Sequence, residues 1–385
     1  MKIVIAPDSY KESMDARTVA SVIQAAFSEI IPDVEYLSVP MADGGEGTVD
    51  AVMETLRGAI LTVRVSDPLG REVDAKFGFA ADQKLAVIEM AQASGLELVL
   101  PSDRNALRAS TYGTGQLIKA ALDEGATRII VGIGGSATTD AGAGALRALG
   151  AVFLDSEGEP IGDGGAELAR LERIDLRRLD ERIASCSLEL ATDVRAPLLG
   201  LNGAARVFAP QKGANPYEVE QLERGLGRFA EVMARDVGAD VGSVVGGGAG
   251  GGIAAGLIGA LGAQVRTGWE LVADIVDLRG KMAGATLVIT GEGRTDSQSA
   301  LGKTPVGVAS VAAQLRIPVI NLAGSLGPGA DETLAHGVRA QFDTVPRPME
   351  TSQVLVDALG NLTSVARNIA SLLLIGIEAG RNPTV

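Results

Sequence analysis

The feature that most restricts the fold is a unit that opens the chain and returns near its end. It is a short apolar run, a loop carrying an acid and often glycine, and then a helix. Residues 2–6 form an Ile/Val-rich run suited to a strand buried on both faces. The polar loop Pro7-Asp8-Ser9-Tyr10-Lys11 follows. After it comes a helix with Val19, Val22, Ile23, Ala26, Phe27 and Ile30 on one face, Ser13 as N-cap and Pro32 at its end. A strand at 35–39, the loop Asp43-Gly44-Gly45-Glu46-Gly47 and a helix turning Val49, Val52, Met53 and Leu56 inward complete a βαβα unit. It predicts a parallel sheet with functional loops at the carboxyl ends of its strands.

The same grammar reappears with a strand at 286–290, a loop at 291–304, Pro305 at the first helical position and a strand at 317–322. A last helix spans about 362–377. Between these two parts the pattern changes. Alternating runs at 61–65 and 72–77 flank the turn Asp67-Pro68-Leu69-Gly70, which reads as antiparallel or mixed sheet. A helix at 114–124, a strand at 127–133, the loop Gly134-Gly135-Ser136-Ala137-Thr138-Thr139-Asp140, a helix at 143–149 and a strand at 188–191 follow. The expectation is an α/β protein. A Rossmann-like or flavodoxin-like parallel-sheet domain comprises 1–66 plus 280–385, and an inserted mixed α/β domain comprises 67–279.

Composition sharpens the chemistry. The 385 residues include 50 glycines, roughly 13% against a usual ~7%. No Gly-x-y period runs through them, and many directly follow predicted strands. A net charge of −14 and few aromatics argue against a nucleic-acid partner, which needs a basic face or stacking platforms. Cys186, the sole cysteine, excludes an internal disulfide and a zinc cluster, and reads as a buried thiol at a strand start. His336 is the sole histidine and falls at a helix end, so proton transfer is left to carboxylates or lysines. The uncharged stretch 241–265 is too rich in Gly and Ala for a membrane span. The expected setting is cytoplasmic, with no membrane partner.

Glycine loops let backbone N–H groups face an anion, and the following helix start adds positive potential. Acids in the same loops hold Mg²⁺ or act as bases, the combination phosphoryl transfer requires. Leu301-Gly302-Lys303-Thr304 matches the end of a Walker A loop, although Ser297 stands in place of the first glycine. A rival motif is the 246–251 run, which fits Gly-x-Gly-x-x-Gly and is followed by Asp274, as in nicotinamide-dependent dehydrogenases. A non-enzymatic small-anion binder is the second rival. Asp8, Lys11, Asp43 and Glu46 lie in two loops that a parallel sheet sets side by side, each also a possible helix cap.

Six segments in order carry a resemblance. They are Ala6-Pro7-Asp8-Ser9-Tyr10-Lys11, Pro40-Met41-Ala42-Asp43-Gly44-Gly45-Glu46-Gly47-Thr48, Gly132-Ile133-Gly134-Gly135-Ser136-Ala137-Thr138, Ala209-Pro210-Gln211-Lys212-Gly213-Ala214, Ile289-Thr290-Gly291-Glu292-Gly293-Arg294-Thr295-Asp296, and Gly302-Lys303-Thr304-Pro305. Through them the chain resembles the bacterial two-domain glycerate kinases (glycerate kinase family 1) from residue 2 to about 380. Tyr10 stands where Phe is usual, Glu12 where Gly is common, and Thr139 where Asn is common.

The resemblance implies ATP-dependent phosphorylation of D-glycerate, an alcohol-group phosphotransfer, with 2-phosphoglycerate favoured over 3-phosphoglycerate. It implies an active site in the cleft between the two domains. Asp193, in Thr192-Asp193-Val194-Arg195-Ala196-Pro197-Leu198, becomes a candidate base with Asp8 as its alternative, and Lys11 a further catalytic candidate. Ser9, Asp43, Gly44, Gly45, Glu46 and Lys212 become candidates for the substrate. Gly134, Gly135, Ser136, Gly291, Glu292, Gly293, Gly302 and Lys303 are candidates for ATP, and Asp43, Glu292 and Asp296 for Mg²⁺.

Overall fold

The computed structural model describes residues 1–45 and 47–381, in two compact units. The first comprises Met1–Asp43 and Trp269–Val385, the second Gly44–Gly268. The break therefore falls earlier in the chain than residue 66. The helix Thr48–Leu56 and the strand Ala59–Ser66 pack with the second unit, because Ala59–Ser66 pairs along its whole length with Glu72–Ala80.

The first unit holds a five-stranded parallel sheet. Its order is Val338–Asp343, Val319–Ala323, Leu287–Glu292, Lys2–Ile5, Glu35–Ser38. Counted along this unit's own chain the order is 2-1-3-4-5, the flavodoxin-like winding. Its switch point lies between Lys2–Ile5 and Leu287–Glu292, where a ligand crevice forms at the carboxyl ends. Asp8 follows the first of these strands and Glu292 ends the second.

The helix Ala16–Ile30 covers one face, burying Val19, Ile23, Ala26 and Phe27 as the 3.6-residue period requires. Burying a side chain such as Phe27 contributes about 2–3 kcal/mol. Its cap is Asp15, whose carboxylate accepts from Thr18 N at 2.6 Å, and not the expected Ser13. Ser13 sits in the preceding turn and gives its hydroxyl to Tyr10 O. The helix Ala358–Arg381 packs beside Ala16–Ile30. Its segment Ala358–Gly380 is long and apolar enough to cross a membrane by length and composition, yet Leu362, Ala366, Ile369 and Ala370 are buried in this unit's core.

The second unit holds a six-stranded mixed sheet ordered Gln264–Arg266, Ser187–Ala191, Arg128–Gly132, Leu85–Glu89, Glu72–Ala80, Ala59–Ser66. The first four pair in parallel, and the last two are added by antiparallel pairing, so Glu72–Ala80 alone runs against the rest. Phe77, Leu117, Phe153 and Phe229 anchor its core. The Phe153 and Phe229 rings stack with centroids 6.4 Å apart. Cys186 directly precedes Ser187–Ala191 but is half-buried, not buried as expected, because it stands one residue outside the strand.

Glu12 adopts φ +65°, the left-handed region where glycine carries no steric penalty. This explains why glycine is common at that position in the family the chain resembles. Glu12→Gly is expected to stabilise the protein by about 0.5–1 kcal/mol, relief of strain outweighing the extra unfolded-state entropy. Urea denaturation checks it, and an unchanged or lower midpoint contradicts it.

Candidate functional site

The first unit gathers its acids at the switch point. Asp8 N donates to Gly291 O at 2.8 Å, which pins the loop after Lys2–Ile5 to the end of its neighbour strand. The Asp8 carboxylate accepts from Ser9 N at 2.7 Å and from the Thr304 hydroxyl at 2.5 Å, while Ser9 Oγ lies 3.4 Å from it. Burial, then the charges of Asp43 and Glu292, push the Asp8 carboxyl up to about 7, although both hydrogen bonds pull the other way. A carboxylate so poised is suited to accepting a proton near neutrality.

Glu292 is itself buried, and its Oε1 accepts from the Thr295 hydroxyl at 2.9 Å. Desolvation raises its carboxyl, against hydrogen bonds from Ser299 and Thr295 and the charge of Lys303. Asn321 supports the same network by donating to Thr295 Oγ1 at 3.0 Å. Tyr10 is buried and gives its hydroxyl to Leu322 O at 2.7 Å, so the phenol that replaces the usual Phe has a partner. Burial and Glu292 push that phenol up.

The remaining candidates of this unit divide. Gly293 packs against the backbone of Tyr10 and Lys11, and Lys11 is exposed. Gly302, at φ +114°, turns the chain into the helix Thr304–Gln314, for which Lys303 is the N-cap residue. Asp296 caps the short helix Ser297–Ala300 by accepting from Gln298 N, and pairs with Arg294 at 3.4 Å. Asp43 is half-buried, and Glu46 lies outside the described residues. Thr304, whose hydroxyl holds the Asp8 carboxylate, is not among the sequence candidates, although a threonine at a helix start behind a Gly-Lys pair is a signal that points to it.

In the second unit, Gly134 and Gly135 are exposed beyond the strand Arg128–Gly132, with Ser136 buried behind them. Lys212, only 2% exposed, donates to Ser136 Oγ at 2.8 Å and to Thr138 O at 2.6 Å. Burial pushes its ammonium down to about 7, with the charge of Asp140 opposing. Gly44 lies over this sheet at φ +87°, where an added Cβ would stand 2.8 Å from Ala191 Cβ. Gly45 O accepts the Thr48 hydroxyl at 2.7 Å. Asp193 is exposed, two residues beyond Ser187–Ala191. Two further acids stand outside the candidates that the sequence motifs single out. Glu89 is buried at the end of Leu85–Glu89 and accepts from Val49 N at 3.0 Å, and Asp140 is fully buried.

The 246–251 run is not a dinucleotide site. No strand forms at 241–245, so the strand–turn–helix that the motif needs is missing. Its glycines instead pack against residues 133–141 and 194–198 of the same unit. Among the described residues no group of three His, Cys, Asp or Glu is placed to hold a metal ion.

A family model described as the glycerate kinase family matches residues 3–374. A glycerate kinase of Haemophilus influenzae is 47% identical over 373 residues, covering 97% of this chain and 99% of that one. A glycerate 2-kinase of Escherichia coli is 48% identical, covering 98% and 99%. A crystal structure described as a glycerate kinase 2 from Salmonella typhimurium LT2 superposes with a TM-score of 0.90 at 48% identity, covering 98% and 99%.

Proposed function

The chain belongs to the glycerate kinase family, and from that premise we propose how its own residues carry ATP-dependent phosphorylation of glycerate to phosphoglycerate and ADP. The observation that carries the proposal is the Asp8 carboxylate. It is held by the Thr304 hydroxyl at the start of the helix that follows Gly302-Lys303, beside Glu292 at the sheet's switch point.

The substrate we assign is D-glycerate. Its hydroxyl oxygen attacks the γ-phosphorus, the bond from that phosphorus to the bridging oxygen breaks, and ADP leaves with the electron pair. Asp8 accepts the hydroxyl proton. Thr304 and Ser9 N fix the orientation of that carboxylate, so its geometry is set before substrate arrives. Gly302 and Lys303 face the nucleotide phosphates, Lys303 as a point charge. Lys11, exposed next to the Asp8 loop, is suited to an anionic group of either reactant.

Mg²⁺ fits the chain as a partner of the nucleotide, not as a resident ion. The crowding of Asp8, Asp43 and Glu292 leaves excess negative charge, and Mg²⁺ is satisfied by one or two carboxylates plus phosphate oxygens and water. Asp43 and Glu292 would hold it, and its charge would neutralise the transferring phosphoryl group. The phosphorylated position we assign is the 2-hydroxyl, supported by a close relative described as a glycerate 2-kinase.

The test is coupled ADP release with D-glycerate, L-glycerate and no acceptor, with phosphorus NMR of the product. The expected result is release that depends on D-glycerate and a 2-phosphoglycerate signal. Release that is independent of acceptor refutes the kinase reading, and a 3-phosphoglycerate signal refutes only the position.

A further inference from the structure

Asp140 takes no part in the reaction as described, yet it is built like a functional carboxylate. It is fully buried. Its Oδ2 accepts from Thr111 N at 2.8 Å, from the Thr111 hydroxyl at 2.9 Å and from Gly144 N at 3.2 Å, and its Oδ1 from Gly142 N at 3.1 Å. A buried carboxylate held by four donors stays in place at moderate cost, but its charge still favours a cation nearby. That cation is Lys212. The two make no direct ion pair. The ammonium instead spends two of its three protons on Ser136 Oγ and Thr138 O, in the loop that runs on to Asp140. The pair is split: Lys212 grips the loop whose outer residues, Gly134 and Gly135, are exposed at the carboxyl end of a parallel strand, and Asp140 ties the end of that loop to Thr111.

We infer that Asp140 and Lys212 form a split buried charge pair that shapes the 134–138 loop to receive an anionic group, Asp140 acting as a positioning residue through Lys212. The inference rests on the kinase reading for the identity of the anion, which is a nucleotide phosphate or the glycerate carboxylate. The Lys212 ammonium keeps one proton for it. The charged group acting on Lys212 is Asp140, while Arg104 packs against the next residue, Gly213, and reaches Gln211 O at 3.4 Å. With the lysine held near 7 in the free protein, most of the population is neutral at pH 8. An anion arriving at the loop favours the charged form, so binding takes up a proton at pH 8 and none at pH 5.5.

Titration calorimetry of the full chain tests this at pH 8 in two buffers of different ionisation enthalpy, with ADP in one arm and D-glycerate in the other. The arm whose anion meets the loop is expected to show uptake approaching about one proton. Lys212→Met is expected to abolish that uptake and weaken the same ligand at least tenfold. Asp140→Asn is expected to weaken it too, and to move the fall in affinity on the alkaline side of the profile to lower pH. The Asn amide would face the donors of Thr111 and Gly144, so this variant can fail to fold, and Lys212→Met then decides. A folded Lys212→Met protein with unchanged affinity and proton uptake, while the wild type turns over glycerate, overturns the charge pair alone. Wild-type protein that binds neither probe overturns it together with the kinase reading.

Discussion

Asp8→Asn is expected to lose roughly 10²–10⁴-fold in kcat while becoming more stable above neutral pH. The two effects share one cause. Burial and the neighbouring Asp43 and Glu292 raise the folded-state pKa of Asp8 from 3.8 to about 7. The folded protein therefore binds this proton more tightly than the unfolded chain. Stability falls as pH rises from about 4 to about 7, and the penalty is fully present above that window. Each unit corresponds to about 1.4 kcal/mol. The side chain is only half-buried, and solvent screening reduces the full shift to about 1–3 kcal/mol. An amide of the same shape removes that penalty and the base together. Turnover with D-glycerate, and thermal unfolding at pH 5.5 and pH 8.5, check both parts. If kcat stays within tenfold of wild type, Asp8 is not the base, and Asp193→Asn becomes the variant expected to lose turnover.

Much of this centre was legible because each element announced itself locally. The run at 2–6, the acid after it and the stripe from Val19 to Phe27 each fit one strand–loop–helix unit, and the parallel pairing of Lys2–Ile5 with Glu35–Ser38 follows from that order. Pairing of Lys2–Ile5 with Leu287–Glu292 is different. It joins residues nearly 300 apart, and no local pattern encodes that register. Glu292 entered the site through a resembling segment, and its proximity to Asp8 emerged only with the sheet.

Thr304 and Asp140 were missed for a related reason. A threonine and an aspartate at helix starts read as caps, and their partners, Asp8 and Lys212, are supplied by distant chain. The departures from the resembling family are local again. Tyr10 found a carbonyl, Glu12 took a glycine's backbone angle, and the buried Thr139 hydroxyl has no partner among the described residues.

The glycine-rich run at 246–251, which invited a dinucleotide reading, is better understood through Gly251→Ala, expected to cost about 2–5 kcal/mol. Gly251 sits at φ +72°, and a Cβ there would stand 1.8 Å from Thr138 O. The left-handed backbone alone costs an alanine about 1–2 kcal/mol. The collision adds overpacking of about 1–3 kcal/mol, because the opposing atom is backbone and cannot rotate away. Thr138 O is also an acceptor for Lys212, and Gly251 O receives Ala141 N at 3.2 Å, so the run is the seat on which the 134–141 loop rests. Displacing Thr138 is expected to weaken anion binding as well as folding. Gly262→Ala is the control. It has a similar angle, φ +68°, but nothing within 4 Å of the added carbon, so only the strain of about 1–2 kcal/mol is expected. Urea unfolding of the two variants separates collision from strain. Equal losses would show that the run tolerates side chains and that its glycines serve something other than close packing.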